Sequence, residues 1–136
     1  MRYLSIYRGC ERNTPPSEEE MARMGTLIEK SIAAGTLIAT EGCLPSSKGA
    51  RVRISADGGY TVVDGPFTEA KEIIGGFAIL NAKSKEHAIE MVKEFLSVVG
   101  EGECEIREIY EAPAFDSQSP SASANVGQRQ QESAAR

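Results

Sequence analysis

Gly75-Gly76-Phe77-Ala78-Ile79-Leu80 is apolar on both faces, as a strand in the middle of a sheet must be. Shortly after it Ser84 opens a helix in which Ala88, Met91, Val92, Phe95, Leu96 and Val99 recur at helical spacing. Lys85, Glu86, Glu90, Lys93 and Glu94 fill the opposite side and face water. A last strand follows over Glu103 to Tyr110, with Cys104 and Ile106 inward and Glu103, Glu105 and Arg107 outward.

The same strand–helix–strand rhythm stands at the front of the chain. Residues 2 to 7 alternate, with Leu4 and Ile6 on one face and Tyr3, Ser5 and Tyr7 on the other. Ser17 with Glu20 three positions on has the capping-box spacing. Met21, Met24, Leu27, Ile28 and Ile32 then form one apolar stripe, and Gly35 ends the helix. Thr36 to Leu44 reads as a strand, broken by Pro45 to Gly49. Arg51 to Ser55 and Tyr60 to Val63 flank Ala56-Asp57-Gly58-Gly59, a hairpin turn signal. The whole is an α+β chain on the ferredoxin-like βαββαβ plan with an inserted β-hairpin. Both helices must then cover one sheet face, and the expectation is that Tyr3, Tyr7 and one side of the Phe77–Leu80 strand lie on the other. Such a face is too apolar for water, so a homodimer is expected.

The chain has 136 residues, enough for one core. The domain is expected over residues 1–111; residues 112–136, rich in Ser, Ala and Gln, are expected to be a disordered tail. A net charge of −5 argues against a surface for nucleic acid or anionic membrane. No stretch approaches the roughly 18 apolar residues of a membrane span, and the N-terminus lacks the apolar core of a signal peptide. Cys10, Cys43 and Cys104 are odd in number and scattered, which favours free thiols in a reducing cytoplasm over disulfides or a metal site.

Val63-Asp64-Gly65-Pro66-Phe67-Thr68-Glu69-Ala70-Lys71-Glu72, followed by Gly75-Gly76-Phe77, resembles the signature of the DGPF branch of the YciI-like (YCII-related) family. Thr40-Glu41-Gly42-Cys43-Leu44-Pro45-Ser46-Ser47 is similar to the same group, and the resemblance runs from about Met1 to Tyr110. It implies a ferredoxin-like domain of the dimeric α/β-barrel type, with a small-molecule cleft near the dimer interface. Relatives have been linked to dehydrochlorination of aromatic ring compounds, and the fold resembles that of muconolactone isomerase. Bacterial DGPF proteins also accompany extracytoplasmic sigma factors, which implies a regulatory protein partner as the rival to chemistry. Typical members carry a histidine on the first helix as half of an acid–base dyad. By spacing from Gly35 it would fall near Met24, whereas the one histidine here is His87.

Among the residues themselves, Asp64 ends a strand before Gly65, which Pro66 pushes toward extended geometry. It is either a general base beside Lys71 or a turn-fixing carboxylate that caps the amides after Pro66. Glu41, at the end of the apolar strand Leu37-Ile38-Ala39-Thr40, is either a proton carrier in a cleft or half of an ion pair. Glu41 and Asp64 are thus the candidate acid and base, with Lys71, Ser46 and Ser47 as candidate ligand-binding residues. Ser46-Ser47-Lys48-Gly49 lacks phosphate-loop spacing, and no G-x-G-x-x-G follows a strand, so no cofactor is expected. His87 reads as an exposed first-turn residue, and the three cysteines read as packing residues. Proton transfer of a lyase or isomerase kind is the chemistry these residue types suggest.

Overall fold

The computed structural model describes residues 1–11, 14–68 and 73–111. Strand β1 (Arg2–Arg8) leads into helix α1 (Glu18–Ala33) and strand β2 (Leu37–Gly42). A short 3-10 turn, Ser46–Lys48, precedes the hairpin strands β3 (Ala50–Ile54) and β4 (Tyr60–Asp64). Strand β5 (Ile74–Asn81), helix α2 (Lys85–Val99) and strand β6 (Glu103–Glu108) follow. The main sheet has the order β2-β5-β1-β6 with every pair antiparallel, and β3 and β4 pair as a separate two-stranded sheet. This is the ferredoxin-like βαββαβ topology with an inserted hairpin. β5, the strand expected in the middle, is there, beside β1.

Local chemistry sets the helix ends. Ser17 Oγ accepts the Glu20 amide at 3.1 Å and Ser84 Oγ accepts the His87 amide at 3.1 Å, so each helix starts at its predicted cap. α2 stops at Gly100, whose φ of 89° suits a residue without a Cβ and whose amide returns to Leu96 O at 2.8 Å.

Cross-strand register decides which face the helices cover. Tyr3 stands opposite Leu80 and Glu108, Ser5 opposite Ala78 and Ile106, and Tyr7 opposite Gly76 and Cys104. The Tyr7 ring meets Phe95 of α2 edge-on, with centroids 5.6 Å apart, so this row lies under the helices. Tyr3, Leu80, Ala82 and Ala88 form the buried cluster. The expectation that Tyr3 and Tyr7 occupy the face away from the helices is therefore corrected. Each tyrosine offers more surface to bury than a leucine or isoleucine, and β1 turns its aromatic row inward. Leu4 and Ile6 take the other face, opposite Ile79 and Phe77. That outer face remains apolar at its centre, with different residues from those expected.

The hairpin stands apart. Val52 pairs with Val62 and Ile54 with Tyr60, which puts all four on one face. They are between 61% and 73% exposed, so this apolar face lacks cover from the described chain.

Candidate functional site

Helix α1 does not close onto the sheet. None of its residues is buried, although its stripe points at the sheet face beneath. Between α1, α2 and the sheet lies a cavity of about 660 Å³, within the range of small-molecule sites. Met24, Leu27 and Ile28 of α1 and Met91, Val92 and Phe95 of α2 form its walls; Ser5, Ala78 and Leu80 line it from the sheet. Lys30 of α1 and Glu94 of α2 also border it and join at 2.9 Å, tying the two helices together.

The polar groups in this apolar chamber are few and mostly engaged. Thr40 Oγ1 donates to Phe77 O at 3.0 Å and Thr36 Oγ1 donates to Ser31 O at 3.1 Å. Beside Ser5, though not itself lining the chamber, the Cys104 thiol is pushed up by burial, against a smaller opposing effect of its hydrogen bond with Ser5. His87 is the exception. Its Nδ1 accepts the Lys83 amide at 3.0 Å, so the neutral ring carries its proton on Nε2. Nε2 has no protein partner among the described residues. No buried side-chain nitrogen or oxygen there lacks a partner, so Nε2 is accessible. The ring lines the cavity and is half-buried, which corrects the reading of His87 as an exposed surface residue.

A second cavity, about 870 Å³, adjoins the first at the far end of the helices. The two share Tyr7, Met24, Ile28 and Gly75. Cys10 and Cys43 border this second space and are exposed, which corrects their reading as packing residues; Cys104 is half-buried.

The residues singled out from sequence are dispersed. Glu41 borders the first cavity, but it pairs with Phe77 in the ladder and its side chain therefore belongs to the outer sheet face. Asp64 ends β4 opposite Ala50, is exposed and borders neither cavity, and its side chain has no hydrogen-bond partner among the described residues. Glu41 and Asp64 do not meet in one chamber. Lys71 lies outside the described residues. Ser47 is exposed, whereas Ser46 is 8% exposed and fully engaged.

Ser46 holds the Asp64-Gly65-Pro66-Phe67 turn. Its amide donates to the Glu11 carboxylate, and its Oγ accepts the Phe67 amide at 3.0 Å. A Cβ on Gly65 would fall 1.7 Å from Ser46 O, so the turn requires glycine there. The Arg51 guanidinium lies 4.0 Å from the Phe67 ring centroid. The capping role considered for Asp64 thus falls to a serine earlier in the chain.

Among the described residues no cluster of three or more His, Cys, Asp or Glu could hold a metal ion, and no helix is long and apolar enough to cross a membrane. The sequence matches the family model of the YCII-related domain over residues 1–113. No curated protein matches it. Among solved structures it is similar to 5-chloro-2-hydroxyhydroquinone dehydrochlorinase from Burkholderia phenoliruptrix AC1100, solved in complex with 2,5-dihydroxybenzoquinone. The identity is 15%, the match covers 85% of this chain and 100% of that one, and the TM-score is 0.44.

Proposed function

The chain belongs to the YCII-related domain family, and from that membership we propose that it binds a small, largely apolar molecule between its helices and sheet. The observation that carries this reading is the chamber of about 660 Å³ that opens where α1 stands off the sheet. A fold that packed for stability alone would fill such a space, because a void forfeits the dispersion contacts of its lining. Met24, near which the family resemblance sets the dyad histidine, lines the same chamber.

The chemistry we propose there is proton transfer of a lyase or isomerase kind. His87, with an accessible Nε2–H, is the group best suited to hydrogen-bond an oxygen of the bound molecule and so polarise it. The Glu41 side chain belongs to the outer sheet face and Asp64 borders neither cavity, so in this reading the proton is exchanged with solvent rather than with either carboxylate. The expected cleft beside a partner subunit becomes, in this reading, a chamber within one subunit. The partner itself is a second copy, seated on the outer sheet face.

Ligand screening by methyl NMR tests the binding claim. A compact apolar compound that binds should move the Met24 and Met91 methyl signals together with the His87 ring. Binding that moves the Asp64 turn instead, or a chain that takes up no compound, overturns the proposal.

A further inference from the structure

We infer that the ligand is elongated: an unbranched acyl chain whose carbonyl or carboxylate head lies at His87 and whose tail passes Tyr7 into the second chamber. This rests on the proposed small-molecule site and extends it to a substrate class.

Three observations carry it. The two chambers share Tyr7, Met24, Ile28 and Gly75, so they adjoin beneath α1. His87, near the start of α2, borders the first chamber, and Val99, at its end, borders the second. The rise of a helix makes that interval about 18 Å, long and narrow compared with a compact ring ligand. The polar feature of the His87 end is an accessible N–H donor, which selects an oxygen acceptor.

Gly25 adds to these. It lies in the interior of α1, where glycine weakens a helix. A Cβ built on it meets nothing within 4 Å, so close packing does not explain the glycine. Gly25 borders the second chamber, where any larger side chain would project into the space. A side chain there would take up part of that space, and a largely apolar space adjoining a binding site suits a tail. Met21, Leu44 and Val99 line it, matching the chemistry of methylene groups.

Isothermal titration calorimetry of the full-length chain with straight-chain n-alkanoates of increasing length tests this inference. Affinity is expected to rise about fourfold per added methylene until the second chamber is filled, then level off. Gly25→Leu should bring that plateau to shorter chains, and Gly25→Met serves as the unbranched alternative if leucine disturbs folding by circular dichroism. His87→Leu should weaken every chain length by the same factor, about tenfold or more. An affinity indifferent to chain length, or a plateau at the same length in the parent and both Gly25 variants, overturns the elongated ligand. So does the binding of compact aromatic compounds with no binding of alkanoates, which leaves the small-molecule site standing. A chain that binds neither class loses both proposals.

Discussion

Gly102 lies against Tyr7 so closely that a Cβ on it would fall 2.4 Å from the ring's Cε2. Gly75 approaches from another side, where a Cβ would be 2.8 Å from Cδ1. The Tyr7 hydroxyl donates to Glu101 O at 3.0 Å and the ring meets Phe95, so the tyrosine bordering both chambers sits in a tight slot. Gly102 also has a φ of 104°, which side chains rarely adopt. Gly102→Ala is therefore expected to destabilise the fold by about 2–4 kcal/mol, the sum of overpacking and backbone strain. Urea unfolding measures it. Gly42→Ala, where a Cβ meets nothing within 4 Å, is the control and should change little.

The two serines of the 46–49 turn should behave differently. Ser46→Ala leaves the Phe67 amide without its acceptor in a part-buried setting and is expected to cost about 1–3 kcal/mol. Ser47→Ala should be neutral, since that residue is exposed. Denaturation midpoints of the two variants check this. Equal stability with impaired ligand binding in both would instead restore the ligand-binding role suggested by sequence.

Helix positions were legible because caps and stripes are local signals: Ser17 and Ser84 bond the amides that their spacing predicts. The facing of β1 was not. Leu4 with Ile6 and Tyr3 with Tyr7 are both rows that a helix layer could cover, and alternation alone does not say which one it takes. Gly102 and Gly75 around the Tyr7 ring decide it, through contacts distant in sequence. The chamber was hidden for the same reason, because an amphipathic stripe on α1 reads alike whether it packs down or lines a space. His87 carries a signal in the sequence: with Met91 and Phe95 it continues a four-residue repeat on the inner face of α2, and all three line the chamber.

Acid stability should depend on Glu105. Hydrogen bonds from Arg8 and then Arg107 hold its carboxyl below the ordinary value of 4.5, with an Arg8 Nη1 to Oε1 distance of 2.8 Å. A carboxylate depressed in the folded state contributes stability above its unfolded pKa, and that contribution is lost as pH falls through the folded pKa. Glu105→Gln is expected to flatten the decline in unfolding midpoint between about pH 5 and pH 2. Chemical denaturation across that range measures the change. A decline as steep as the parent's would show that the Arg8 pair does not matter to acid unfolding.

The His87 tautomer is directly observable. Acceptance of the Lys83 amide at Nδ1 requires the proton of the neutral ring on Nε2. Nitrogen-15 shifts of the ring at alkaline pH should report Nε2–H as the dominant form. A dominant Nδ1–H form would remove the donor proposed for the ligand head. Ser84→Ala, which removes the acceptor of the His87 amide, should cost about 1 kcal/mol as an N-cap change and loosen the ring's position.

The outer sheet face yields the last expectation. Leu4 opposite Ile79 and Ile6 opposite Phe77 make two apolar cross-strand pairs at its centre, with the Arg8–Glu105 pair beside them. A second copy seated here would bury the apolar centre and leave the charged pair at the rim, the usual division of an interface. The parent is expected to sediment as a dimer at micromolar concentration. Ile79→Lys sets an ammonium among the three apolar side chains of Leu4, Ile6 and Phe77 and should give a folded monomer. Ligand binding should survive in that monomer, because the chamber lies beneath the helices on the opposite side of the sheet. A parent that sediments as a monomer removes the homodimer. A monomeric variant that loses binding would instead make the chamber depend on the partner.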